Sequence, residues 1–394
     1  MNDEIGRREF LKRGTLAGAI ATGLPLAGVM EAAAPDVAPL APAVAAEAAL
    51  LAARNLDSRA FCLSIYDTIA PAMAFTATNA AGARRWQAAA RRKVAERLGG
   101  FPATRAPLNA EVLETKDFGT YTREKIAFDT RENLSAIGYL LLPKNAPRPL
   151  PAVIALSGHG RGVADIIELA DDGTQRIDRG AGYAHGYAVQ CVEHGYATFA
   201  VEQLGFGSRS DDAARRGAPT SDSCRPAACA ALLFGQTMAG WRVWDVMRAI
   251  DYLGTRPEVD AKRVATLGAS GGGTTSLLTA AMDERVKVGV VSAYFNTFRH
   301  SIVSISHCPD NYVPGLLTDM EMHDIAGLVA PRALFAESGR RDPIFPVEGF
   351  EVATTKAHDI YRAFGVPDRM GHEVHDGVHE FDGKAAFAFL AKNL

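Results

Sequence analysis

Five short apolar segments recur along the chain, each running into small or turn-forming residues. They read PAVIALSG (151–158), YATFAVEQLGFG (196–207), RVATLGAS (263–270), VKVGVVSAYF (286–295) and RALFAESGRRD (332–342). Runs this brief and this uniformly apolar suit strands covered on both faces, and the stretches between them carry helical periodicity. Strand–helix alternation predicts an α/β fold with a mostly parallel central sheet and helices on both faces. The clearest predicted helix is Gly240 to Leu253, with Val243, Val246, Met247, Ile250 and Leu253 on one face and an Asp245/Arg248 pair on a polar face. Ala83 to Leu98 predicts another, stopped by Gly99-Gly100 and Pro102, and Lys384 to Leu394 a last one. Between the Ala83–Leu98 helix and the first apolar segment, REKIAFDT (123–130) and SAIGYLLLP (135–143) predict an antiparallel pair at a sheet edge, turning near Glu132-Asn133. Residues 56–394 are expected to form a single domain, with a helical and antiparallel N-terminal extension over about 56–120.

The first 55 residues have a different character. Arg7-Arg8 precede Phe10-Leu11-Lys12, a mildly apolar Thr15–Val29 run follows, and then an Ala/Pro tract. That order resembles a twin-arginine export signal followed by a linker, with several Ala-x-Ala cleavage sites competing. A periplasmic or secreted location is therefore expected. No internal run predicts a membrane span, and the formal net charge of −3 argues against a nucleic-acid partner.

In sheets of this kind ligands bind beyond the carboxyl ends of the strands, so the residues there carry the chemistry. Gly268-Ala269-Ser270-Gly271-Gly272 has the G-x-S-x-G form of a nucleophile elbow, whose small neighbours let a serine stand on a sharp strand-to-helix turn. A phosphate-binding loop fits the glycine spacing but would need lysine at 274, where this chain has Thr274. A serine nucleophile needs a base and a group to orient that base, and on this fold they follow in the order serine, acid, histidine. Asp342 follows the strand RALFA (332–336) in a sharp loop, and His379 precedes the last helix. Glu337 is the rival acid and His375 the rival base. The oxyanion donors are expected to be the Gly271 N–H and backbone N–H groups of His159, Gly160 or Arg161 in LSGHGRG (156–162). Glu202, Gln203, Trp241 and His307 are expected to line the pocket.

His159 lacks a partner at ligand spacing, and His300, His307, His323 with Asp310 form only a weak metal pattern, so neither metal nor cofactor is expected. Of the five cysteines, Cys224 and Cys229 are close enough in sequence to bridge a loop in an oxidising compartment, and buried thiols are an equal alternative.

Ser270 in its elbow, Asp342 and His379, in that order, resemble the α/β-hydrolase superfamily. Across roughly residues 84–394, TREKIAFDT, YLLLPKN, GYATFAVEQLGFGSR, the segment from Cys308 to Pro346, and HEF resemble its acetyl xylan esterase-like, dienelactone hydrolase-related branch. That resemblance implies a serine carboxylesterase without a cofactor, acting on an acetylated carbohydrate or a small ester. Two features depart from the branch: EQLGFGSRS stands where cephalosporin-deacetylase-type esterases carry Arg-Gly-Gln, and the nucleophile is serine where dienelactone hydrolases use cysteine. Exported relatives include uronic-acid methylesterases, and an insert from Asp165 to Tyr187, with Arg176 and Arg179, would suit an acidic sugar. A prolyl-oligopeptidase-type peptidase would need more N-terminal sequence for a propeller. A non-catalytic carbohydrate-binding protein would not need the three aligned residues.

Overall fold

The computed structural model describes residues 54–170, 182–211 and 223–394. The residues expected to form an export signal, most of the Ala/Pro tract, Arg176 and Arg179 lie outside the described residues. The chain divides into two units, 1–56 and Asp57–Leu394, and the second holds all the elements described below.

Nine strands make one sheet in the order β1-β2-β3-β5-β4-β6-β7-β8-β9. In chain order they are β1 (Glu111–Asp117), β2 (Tyr121–Arg131), β3 (Leu134–Pro143), β4 (Leu150–Leu156), β5 (Ala197–Val201), β6 (Val259–Ala269), β7 (Val286–Ser292), β8 (Ala333–Gly339) and β9 (Met370–His375). From β5 to β9 every neighbouring pair is parallel, and β1, β2, β3 and β5 pair antiparallel. The five apolar segments are β4 to β8. Two strands escape sequence reading. β9 reads MGHEVH, with alternating polarity and no run, and β1 is exposed along most of its length. The β2–β3 hairpin turns where expected, but β1 lies outside it, so β2 is the second strand and not the edge.

The helices that matter below are α1 (Ser58–Thr68), α2 (Ala80–Arg97), α3 (Tyr187–Glu193), α4 (Cys224–Leu233), α5 (Met238–Leu253), α6 (Gly271–Met282), α7 (Met322–Gly327), α8 (Val347–Ala363) and α9 (Lys384–Asn393). Successive strand residues feed opposite faces of the sheet. On β4, Ala152, Ile154 and Leu156 join the core with α2, α5, α6, α7 and α8, while Val153 and Ala155 join the core with α3 and α9. Helix α5 is buried nearly all round, which its amphipathic pattern did not predict. Its polar residues are accommodated by pairing: Asp245 meets Arg209 at 2.6 Å and Arg248 meets Asp251 at 2.5 Å, in place of the expected Asp245/Arg248 pair. Buried charges of this kind persist only when paired.

An aromatic cluster ties the antiparallel end of the sheet to α5. The Phe199 ring lies 5.7 Å from Phe128 and 5.3 Å from Tyr252, centroid to centroid, and Gly138 opposite it leaves room for the ring. Phe199 is fully buried. Phe199→Ala is expected to lower unfolding stability by about 3–5 kcal/mol. Urea denaturation checks this, with the midpoint falling and the slope unchanged.

Candidate active site

Strand β6 ends at Ala269, and α6 begins at Gly271. Ser270 between them sits at φ 56°, ψ −123°, a conformation that costs a non-glycine residue on the order of 1–3 kcal/mol. The turn is held by the Ser270 N–H donating to the Ser292 carbonyl on β7 at 3.0 Å. Its tightness explains the flanking glycines. A Cβ on Gly272 would stand 1.8 Å from the Leu156 carbonyl oxygen, and one on Gly268 would stand 2.3 Å from Gly272 backbone. Both obstacles are backbone and cannot move aside.

The serine faces a cavity of about 400 Å³, lined by His159, Tyr183, Ser270, Ile305, Ser306, His307, Cys308, Ile344 and His379. Asp342 is buried behind it and joined to His379, with Nδ1 and Oδ2 2.8 Å apart. A carboxylate can only accept, so Nδ1 carries the proton and Nε2 is the basic nitrogen. The other Asp342 oxygen accepts from the N–H groups of Ile344 at 2.8 Å and Phe345 at 3.0 Å, which fixes the acid's rotamer. The imidazole is flanked by Phe345, nearly parallel at 5.8 Å, and Tyr183 at 5.7 Å. Backbone bonds from Arg340 to His375 and from Arg341 to Gly377 stitch the acid loop to the base loop.

The rival acid and base are used elsewhere. Glu337 is wholly buried and accepts from the N–H groups of Asp382 at 3.1 Å and Gly383 at 3.2 Å, anchoring the loop just after His379. Burial pushes its carboxyl up to about 7. His375 is buried at the end of β9 and is not among the residues lining the cavity.

On the opposite wall, the loop after β4 brings the His159 ring over the start of α6: its Nδ1 stands 3.5 Å from where a Gly271 Cβ would be. As the first residue of α6, Gly271 has an N–H without an acceptor inside the helix. The expected donor set narrows at Arg161. Its N–H donates to Asp165 Oδ2 at 2.9 Å and its Nε to Asp165 Oδ1 at 2.9 Å, so that N–H is turned onto Asp165. Of the three, His159 lines the cavity with Ser270.

Of the four expected pocket residues, His307 lines the cavity and three do not. Glu202 accepts from the Val163 N–H at 3.0 Å and the Ser208 N–H at 3.4 Å, bracing the β4 loop from below, and burial pushes its carboxyl up to about 7. Gln203 accepts from Thr275 Oγ1 at 2.6 Å and donates to the Ser157 carbonyl, joining α6 to the end of β4. Trp241 turns its indole N–H onto Gln236. A strand-end position says where a residue lies but not which way its side chain turns.

His307 has a defined tautomer. Its Nδ1 accepts from the Cys308 N–H and from Asn311 Nδ2, each at 3.0 Å, so the ring proton sits on Nε2. The Asn311 orientation is fixed because its amide also donates to Asp310 Oδ1 at 2.6 Å, while its oxygen accepts from Thr274 Oγ1 on α6 at 2.7 Å. Burial holds the His307 pKa below the ordinary imidazole range, keeping the ring neutral.

The weak metal pattern of His300, His307, His323 and Asp310 does not assemble as one group among the described residues. His300 bonds Thr297 at 2.7 Å and His323 lies 3.9 Å from Asp324, each in its own environment. Asp310 instead joins His159, Cys224 and Cys308, whose donor atoms lie within 4.8 Å of one another. The Arg242 guanidinium occupies this group, 2.6 Å from Asp310 and 3.3 Å from the Cys224 sulfur, so a cation there would sit beside a buried positive charge. Tyr183, Ile305, Ser306, Cys308 and Ile344 were not singled out from sequence as lining residues, since they come from loops without periodicity.

With the elbow, the acid–imidazole pair and the cavity in place, the comparisons with known proteins agree on the class. The Abhydrolase family model matches residues 47–346, and the chain belongs to that family. A Bacillus subtilis protein named as the hydrolase YtaP is 29% identical over 290 residues, 71% of this chain and 90% of that one. The 4-O-methyl-glucuronoyl methylesterase of Phanerochaete carnosa is 30% identical over 190 residues, 40% of this chain and 46% of its own length. Among solved structures, a Bacteroides fragilis protein described as an acetyl xylan esterase superposes with a TM-score of 0.69 at 17% identity, covering 82% of this chain and 83% of that one. Its likeness establishes the α/β-hydrolase fold. No helix among the described residues is long and apolar enough to cross a membrane.

The buried carboxyl of Glu337 makes stability depend on pH. Its folded pKa lies above its unfolded value, so the folded state holds the proton more tightly. Its contribution is undiminished below the unfolded value near 4.5 and is lost as pH rises to about 7. Relative to Glu337→Gln, the unmodified protein is expected to lose Tm between pH 4.5 and 7. Thermal melts of both across that window measure the difference, and parallel curves would contradict it.

Proposed function

We propose that this chain is an exported serine carboxylic-ester hydrolase that removes acyl groups, acetyl above all, from a carbohydrate or a related small ester. The observation that carries this reading is His379, bonded through Nδ1 to buried Asp342 and sharing one cavity with Ser270. Ser270 Oγ attacks the acyl carbon while His379 Nε2 takes its proton, and the imidazolium is stabilised by Asp342. The negative charge on the tetrahedral intermediate is met by the Gly271 N–H at the start of α6 and by N–H groups of His159 or Gly160. The imidazolium then protonates the leaving alkoxide. Water, deprotonated by the same nitrogen, releases the acid and restores the serine.

The cavity supports an ester of modest size. Its described lining is apolar residues, hydroxyls, imidazoles and the Cys308 thiol, with His307 offering an N–H from the wall. A relative named for acetyl xylan and one named for a glucuronoyl methyl ester set the two substrate classes to compare. The second, a methyl uronate, would call on cationic groups such as Arg176 and Arg179. The Arg7-Arg8 signal supports export.

Ser270→Ala is expected to lower kcat for p-nitrophenyl acetate by at least roughly 10⁴-fold with an unchanged circular dichroism spectrum. Retention within tenfold would overturn the assignment. Measured side by side, kcat/KM for an acetylated xylo-oligosaccharide is expected to exceed that for a methyl glucuronate ester, and the reverse order would favour the methylesterase reading. Replacing Arg7 and Arg8 together by lysine is expected to hold the protein in the cytoplasm, as cell fractionation would show.

A further inference from the structure

The cysteines are arranged differently from their spacing in sequence. Cys224 and Cys229 share α4, but five residues of helix separate their directions, and Cys224 is buried while Cys229 is exposed. Cys224 instead meets Cys308, 84 residues away, with the sulfurs 3.2 Å apart. A disulfide needs about 2 Å, so a shift of roughly 1 Å joins them. The two sulfurs are not equivalent. Cys308 lines the cavity and is within reach of small solutes, whereas Cys224 lies behind it against Arg242.

We propose that Cys224 and Cys308 are a redox-active dithiol which a low-molecular-weight disulfide, entering through the cavity, oxidises to a cross-link. In the first step the Cys308 thiolate attacks one sulfur of the small disulfide, forming a mixed disulfide and expelling one small thiolate. In the second, Cys224 loses its proton and attacks the Cys308 sulfur. The protein disulfide forms, the second small thiolate leaves, and two thiols have been oxidised as one disulfide is reduced. The surroundings favour this order. The Cys224 thiol, together with the His159 imidazole, pulls Cys308 down to about 6, making it the readier thiolate. Cys224 is pushed up by Cys308 and by burial until its partner's charge is consumed, after which Arg242 at 3.3 Å supports its own thiolate.

The cross-link would tie the cavity wall to α4. Cys308 follows His307 and opens the turn that carries Asp310 and Asn311, and Asn311 is bonded to Thr274 on α6. Oxidation therefore fixes the wall bearing His307 to α4, beside the existing bond from that wall to the helix that starts at Gly271.

The test uses the full chain carrying Cys62→Ser and Cys229→Ser, treated with oxidised glutathione, then alkylated and mapped by mass spectrometry without reduction. The expected product is a Cys224–Cys308 cross-linked peptide, with buried Cys191 alkylated only after denaturation and Tm raised by about 5 °C. Cys224→Ser is expected to trap a stable glutathione adduct on Cys308, and Cys308→Ser to leave Cys224 unmodified. A stable adduct on Cys308 of the parent, both thiols unreacted, or thiols that react only after a chelator strips a bound metal would each overturn the proposal. Should either serine variant fail to fold, the parent's peptide map decides alone.

Discussion

The organising constraint is how closely the backbone packs at the end of β6. Gly272 presses against the Leu156 carbonyl, and Gly268 against Gly272 itself, so β4, β6 and the first turn of α6 meet with no room for side chains. This contact forces Ser270 into a left-handed turn and lifts its hydroxyl above the sheet. Strain of that kind persists only where the surroundings over-determine it. Here they do: the Ser292 carbonyl holds the serine N–H, and Gln203 fastens α6 to the end of β4. The other components are placed relative to this fixed point. The acid and base loops are stitched together by backbone bonds and anchored by Glu337, and the opposing loop is braced by Glu202.

Buried carboxyls thus serve two unlike purposes. Asp342 is saturated with donors, two N–H groups on one oxygen and an imidazole on the other, which fixes the carboxylate against His379. Glu202 and Glu337 sit in drier surroundings, with their carboxyls raised to about 7, and act as braces beneath loops. Position at a strand end is common to all three, so position alone does not separate the chemistry from its support.

That limit explains what sequence could and could not disclose. The parallel core strands were legible because uninterrupted apolar runs have few other meanings, and the elbow because so many small residues around one serine require a steric reason. That Ser270 and an Asp342-bonded His379 would meet at one cavity could be anticipated because the fold visits its strand ends in sequence. Side-chain direction was not: Gln203 and Trp241 turn away from the cavity. Nor was the claim of Asp165 on the Arg161 N–H, which depends on one rotamer four residues on. The Cys224–Cys308 contact was hidden because it joins the first turn of α4 to a turn 84 residues away with no periodic relation to it.

Among the described residues the outer strand β1 pairs with β2 alone, and it is exposed along most of its length. Its register shifts between Val112 and Glu114, leaving Leu113 as an extra residue, and Glu111, Glu114, Lys116 and Asp117 crowd the rest. A bulge bends the open ladder out of line, and charge makes it a poor template for a strand from another molecule. This edge therefore resists adding a further strand, although Val112 and Leu113 are apolar and half exposed.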